Sequence, residues 1–468
     1  MVTNPGTPQP VRPPQVGRPF FTFLVGVTLA DLADRAWLVV LAFTAASLGS
    51  PFTATLVIAA GTLPRAVLVL VGGAFADRLP TRPLLVAADV LRAVVLLAAV
   101  AVLTVNALPV LPLMVVVGVL FGAADAVHLP SVGTMPRQLV ATDGLIRAAG
   151  LRQMGGRIAY LAGPPLAGVA LGALLLPGTL AVLVVPFVVA AVVMGLVRTR
   201  YPREAARSQS VYASVRELIG HLRGRDDSRR LVLSLVGLNF FAIPVVTVGV
   251  ALRVTAEGWG PTHLGLLIGL VGAGAIVGTL VTFRLRSPRP LRLAYAMLAL
   301  QGVALATIGV APEWGVGLAL GLVGLTSGLA CPPLAGMLQA RVEPAYLGRV
   351  YSLIALADDG ILPLALAGFG AITAAIGIGW AVALSGLGMT AWMGASYCRP
   401  RLRNLPLPGA EMATGTATGT GIETAPDSVG TIAQGMRPTP DSVGTIAQGM
   451  RPTPDSVGTI AQGVRPTP

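Results

Sequence analysis

Three charged side chains, Asp31, Asp34 and Arg35, interrupt an otherwise apolar run over residues 20–47. Spacings of three and four residues set them on one face of a helix. Counted from Phe20, Asp31 lies about 16 Å along that helix at about 1.5 Å per residue, near the middle of a hydrocarbon layer about 30 Å thick. Charge at that depth is costly, so each such group neutralises a partner or serves a function. Arg65, in the next apolar run, reaches a similar depth and completes a local cluster. Two chemistries are open to it: the charges cancel as a structural unit, or a carboxylate exchanges its arginine for a proton or a cationic substrate. Burial and a neighbouring arginine act on a carboxylate's proton affinity in opposite senses, which an exchanging group needs. Asp31 is preferred to Asp34 for that role, because Asp34 adjoins Arg35 and lies nearer the outer half. Asp125 and His128 in the fourth run, with Asp358 and Asp359 in the eleventh, form a shallower set that reads as part of an inner gate, with His128 either a proton carrier or, as is more usual for a lone interfacial histidine, merely solvated.

The elements that hold these groups are set by composition. Charged residues make up 11% of the 468, against about 25% in a soluble domain, and the mean hydropathy is +0.77. Continuous apolar runs, rather than period-two alternation, exclude a transmembrane β-barrel and indicate an all-α polytopic membrane protein. A 20-residue window finds runs near 20–47, 53–74, 84–105, 108–129, 152–176, 179–198, 231–253, 263–284, 292–311, 314–339, 350–376 and 378–397, twelve spans in all. Internal Pro and Gly do not veto them, since neighbouring helices satisfy the freed backbone groups.

The formal charge of +13 does not point to nucleic acid. Every one of the 33 basic residues is arginine, and most sit in alternate connectors, which marks those connectors as cytoplasmic. The expected layout is a cytoplasmic tail (1–19), a six-helix bundle (20–198), a cytoplasmic linker (199–230), a second six-helix bundle (231–398) and a cytoplasmic tail (399–468), with both termini inside the plasma membrane. Within the linker, 211–223 has the spacing of an amphipathic helix. The second tail holds three near copies of a fourteen-residue unit, starting at Pro426, Pro440 and Pro454, whose small polar composition predicts disorder. Two cysteines and three histidines supply neither a disulfide framework nor a metal site, and the first run is too long for a signal peptide core.

Two motifs carry mechanism. After the second run stand Gly73, Asp77, Arg78 and Arg82, a glycine for close helix approach followed by a carboxylate and arginines that can tie inner helix ends together. In the fifth run Gly150, Ala159, Gly163, Pro164, Pro165 and Gly168 space small residues for close packing, with a bend at Gly163-Pro164. The first resembles the signature loop of the major facilitator superfamily, with Gly348 and Arg349 standing where the family places the eleventh-span partner. The second resembles the pattern of that superfamily's exporters and antiporters. The stretch from Asp89 to Arg92, the connector 136–151, and Gln339, Glu343, Pro344 and Gly348 look like the branch of enterobactin-type siderophore exporters and macrolide-efflux permeases. Residues 111–129 lack the fourth-span arginine of many proton-coupled exporters.

The resemblance implies a major facilitator fold of twelve helices in two bundles around a midplane site. It implies secondary efflux of a hydrophobic or amphipathic small molecule, such as a drug, secondary metabolite or siderophore, by a monomer exchanging protons. The residues implied are an inner gate (Gly73, Asp77, Arg78, Arg82, Gly348, Arg349), a hinge (Gly150, Gly163, Pro164, Gly168), and coupling or substrate groups (Asp31, Asp34, Arg35, Arg65, Asp125, Asp358). Neither a Walker-type phosphate loop nor a hydrolase triad is visible, so no enzyme, cofactor or metal is expected. An importer or facilitator of the same fold, and a non-transporting scaffold or sensor acting through the tail repeats, are the alternatives.

Overall fold

The computed structural model describes residues 16–76, 80–141, 144–199, 201, 226–285, 287, 289–341 and 344–399; of these, the side chains of 68–76, 146, 226–228, 283 and 344–359 are outside the description. The amphipathic stretch 211–223, the repeats and most of the second tail lie outside the described residues, as do Asp77 and Arg78. Among the described residues there is no strand, and the elements in chain order are α1 (Arg18–Leu48), α2 (Pro51–Ala76), α3 (Thr81–Thr104), α4 (Val110–Leu139), α5 (Leu145–Leu196), α6 (Asp226–Pro244), a π turn (Val245–Gly249), α7 (Val250–Ala256), α8 (Pro261–Arg284), α9 (Pro290–Thr307), α10 (Glu313–Arg341), α11 (Pro344–Ile376) and α12 (Ile378–Tyr397).

The helices start where local chemistry permits. Proline occupies the first turn of α1, α8 and α9, where its missing N–H leaves no bond unmade. Ser50 Oγ accepts the Thr53 N–H at 3.2 Å and caps α2. Gly260 (φ 84°) and Gly377 (φ 86°) turn the chain into α8 and α12 in the left-handed region that favours glycine. Within α5, backbone angles stay helical through Gly163, Pro164 and Pro165, and the break falls at Leu175 (φ 58°, ψ −177°), at the end of the expected fifth run.

Among the described residues, eight helices are long and apolar enough to cross a membrane by length and composition. The double-length α5 counts once there, and α6 through α7 counts as a single length. Every 18-residue stretch of α1 contains Asp31, Asp34 and Arg35, so α1 is kept out by its own charges despite its 31 residues. α2 and α11 run partly through residues whose side chains are outside the description. Outward faces carry large apolar groups such as Val94, Val185, Val192 and Leu384, as lipid contact requires.

Close packing follows glycines. A Cβ at Gly163 would meet Leu32 O at 2.7 Å, and one at Gly269 would meet Pro165 Cγ at 2.6 Å. A Cβ at Gly265 would lie 2.9 Å from Gly168 Cα, while Thr262 Oγ1 donates to Gly168 O at 3.3 Å. This contact continues to Gly172, whose added Cβ would stand 2.7 Å from Thr262 Oγ1. Gly370 of α11 presses equally closely on Thr55 of α2. Both cross-contacts, α5 with α8 and α2 with α11, gather at one end of the molecule, the end holding the α1–α2 turn. Gly150 faces open space instead of a neighbour.

This predicts that cysteines at Gly172 and Thr262, with Cys331 and Cys398 changed to serine, form a disulfide in the resting protein. Adding Gly265→Leu should abolish that bond while leaving the protein inserted; an undiminished crosslink would show that the α5–α8 contact does not depend on glycine.

Candidate functional site

Between these contacts and the opposite end lies a central cavity of about 530 Å³. α1 contributes Asp31, Asp34, Arg35 and Trp37, α2 contributes Arg65, and α4 contributes Phe121 and Asp125. The facing wall, from α6, the π turn, α8, α10 and α11, is mostly apolar, with Leu238, Ile243, Val246, Val271, Val323 and Leu366. The π turn follows Pro244 and brings Val246 and Thr247 to the wall; such turns insert one extra residue into a helix and shift its register. The two walls therefore differ in kind: one is charged, the other apolar.

The charged wall is organised by a residue behind it. Arg92, in the middle of α3, has no exposed surface. One terminal nitrogen donates to Asp89 Oδ1 at 3.0 Å; the other donates to Asp125 Oδ1 and lies 3.5 Å from Asp34 Oδ2. The Arg92 guanidinium also stands 5.6 Å from the centre of the Phe187 ring, which packs edge-on against Phe121, itself tilted on Trp37. His128 Nε2 is 3.6 Å from Asp89 Oδ1. Asp34 and Asp125 are about a quarter exposed, toward the cavity, and Asp89 is sealed. One guanidinium thus bridges two cavity carboxylates and a buried one.

A second pair lies beside it. Arg152 of α5 donates to Asp31 Oδ2 at 2.8 Å. Gly155 and Gly163 abut α1 in the same helix, and that close approach delivers Arg152 to Asp31. Arg35 does not pair with either aspartate at salt-bridge distance; its guanidinium lies 5.0 Å from the Tyr160 ring centre, on the cavity wall.

A model of the Major Facilitator Superfamily matches residues 23–362. The chain belongs to this superfamily. Macrolide efflux protein A of Streptococcus pyogenes is 26% identical over 330 residues, covering 68% of this chain and 80% of that protein. The uncharacterized MFS-type transporter y4rN of Sinorhizobium fredii is 28% identical over 362 residues, covering 74% and 86%. The crystal structure of a D-xylose-proton symporter has the same fold, with a TM-score of 0.64 at 15% identity, covering 83% of this chain and 99% of that one. The protein is a multi-pass membrane transporter of a small-molecule-carrying family, not an enzyme.

Against that identification, the expected residues sort as follows. Asp31, Asp34, Arg35, Arg65 and Asp125 line one cavity, but their pairing is not the one read from spacing: Asp34 is held by Arg92 and Asp31 by Arg152. Asp125 is no shallower than Asp34, since one guanidinium nitrogen serves both, and His128 is buried at 1% exposure rather than solvated. Trp37, Phe121 and Tyr160 also reach the cavity, whereas Phe240 is turned outward. Arg82 donates to Gly195 O, tying α3 to the end of α5. Gly73, Gly348, Arg349 and Asp358 lie on α2 and α11 where side chains are outside the description, and the gate's Asp77 and Arg78 are outside the described residues. Gly163 and Gly168 are contact points, against α1 and α8. Arg92, Asp89 and Arg152 escaped the site reading. Arg92 and Asp89 carried the same signal as Asp31, charge in the middle of an apolar run, whereas Arg152 at the edge of its run resembled a connector arginine.

Arg92→Met should cost about 3–5 kcal/mol, the usual penalty for stripping a buried ion pair of one partner. Adding Asp89→Asn should return a large part of the lost thermal stability of the purified protein. If the two substitutions are instead additively destabilising, Arg92 and Asp89 are not energetically coupled.

Proposed function

We propose that the protein is a proton-coupled exporter of a hydrophobic or amphipathic small molecule. Its two bundles, 20–198 and 231–398, joined by the cytoplasmic segment 199–230, would rock about the central cavity. The single observation that carries the reading is the sharing of Arg92 between Asp34 and Asp125 at the wall of that cavity. Arg92 can neutralise one carboxylate, not three, and excess buried charge in a membrane interior is costly. The balance must come from a neighbouring arginine, a proton, or a positive group on the cargo. Proton and cargo then compete for the same carboxylates, and competition at one site is the simplest route to obligatory exchange.

Asp34 replaces Asp31 as the preferred exchanging group. Asp31 has Arg152 to itself at 2.8 Å, whereas Asp34 divides a guanidinium with Asp125 and faces the cavity. The apolar wall opposite suits the body of an amphipathic molecule. In this reading both termini and the arginine-rich connectors lie in the cytoplasm of a plasma-membrane protein, and the α5–α8 and α2–α11 contacts face outward. Export is supported by the small-residue pattern of α5 and by the name of the streptococcal relative, a macrolide efflux protein. The working unit in this reading is a monomer.

Everted vesicles carrying the parent protein should accumulate a radiolabelled macrolide when an interior-acid gradient is imposed. Asp34→Asn should still bind it but lose about 5- to 150-fold of the gradient-driven accumulation, the span of ordinary coupling energies. Accumulation by the variant that steepens with pH gradient as the parent's does would move coupling to Asp31 or Asp125.

A further inference from the structure

Gln301 is the twelfth residue of α9, as Arg92 is the twelfth of α3. Each points its polar group at the next helix: Arg92 at Asp125, sixteenth in α4, and Gln301 at Ser327, fifteenth in α10. In a fold of two related six-helix halves, α9 and α10 repeat α3 and α4. The same place in the two halves is thus filled once by an ionic group and once by a neutral one.

The neutral version has an unused end. Ser327 Oγ donates to Gln301 Oε1 at 3.1 Å, with Thr326 Oγ1 at 3.4 Å from the same oxygen. In this arrangement the amide oxygen is turned to the two hydroxyls and the nitrogen away from them. Among the described residues no acceptor meets the amide nitrogen, although Gln301 is only 1% exposed and lines the central cavity. The nitrogen is therefore left facing the cavity, and its natural partner is something that enters there. Most of the wall around it is apolar, which makes a directed donor there selective.

We infer that Gln301 is a specificity-determining residue, donating a hydrogen bond from Nε2 to an uncharged acceptor, a carbonyl, ether or hydroxyl oxygen, on the transported molecule. The assignment rests on the central cavity being the substrate site. It divides labour between the halves: the Asp34–Arg92–Asp125 group handles charge, and Gln301 with Ser327 reads the neutral polar pattern of the cargo. A ligand that lacks acceptors is held by apolar contact and charge alone and does not sense Gln301.

Two probes separate these terms: a macrolide, rich in neutral oxygen acceptors, and tetraphenylphosphonium, a hydrophobic cation with none. Binding to the purified full chain is followed by quenching of tryptophan fluorescence, Trp37 being on the cavity wall. Gln301→Leu should weaken the macrolide about tenfold, the effect of one lost hydrogen bond, and leave tetraphenylphosphonium within twofold or so. Gln301→Glu keeps the shape and cannot donate; it should weaken the macrolide likewise and tighten the cation, which guards against a leucine variant that merely misfolds. Equal weakening of both probes by both variants, or no change in either, overturns the assignment. A parent protein that binds neither probe overturns the reading of the cavity itself.

Discussion

One buried guanidinium constrains this molecule more than any other group. Arg92 has no exposed surface, sits halfway along an apolar helix, and is within reach of three carboxylates from three different helices, α1, α3 and α4. Taken out of water, such a charge is tolerable only if its partners stay in place. Hence α1, α3 and α4 cannot separate independently, and the first half of the chain behaves as one charged block. Phe187 offers its ring face to the same guanidinium, and Phe121 and then Trp37 pack in series behind it.

The second half places a glutamine where the first places that arginine, and the consequence is a cavity of unlike walls. Two of the carboxylates face the cavity on one side; on the other, mostly apolar side chains and the Gln301 amide line it. Glycines make the two sides meet. Where Gly168 abuts Gly265 and Gly370 abuts Thr55, backbones approach to distances that any larger residue would prevent. These contacts gather at one end, so a tilt of the halves that breaks them is the geometric requirement for exposing the cavity on that side.

Much of the architecture was legible because membrane insertion writes long apolar runs into a chain. The break at Leu175 falls at the end of the run 152–176, just before the run 179–198, and α6 through α7 spans 231–253 despite its π turn. Asp31, Asp34, Arg35, Arg65 and Asp125 were recognisable by the cost of charge at depth. Their partners were not, because pairing is a property of helix rotation and packing rather than of spacing along one helix. Asp34 and Arg35 are adjacent in sequence, yet the aspartate turns to α3 and the arginine to Tyr160 on α5. Gln301 gave even less signal: an amide in an apolar helix is cheap to bury once hydrogen-bonded, and only the packing of α9 against α10 brings it to Ser327 and the cavity.

The central claim is that cargo and proton contend for the carboxylates shared by Arg92. The direct measurement is proton release on binding: a macrolide is added to the purified protein in weakly buffered detergent solution, and the pH change is followed with an indicator dye. Competition predicts that protons appear in the medium in step with saturation of the site, and that the signal is lost when Asp34 and Asp125 are both changed to asparagine while binding persists. Saturable binding with no proton release from the parent protein would contradict the account.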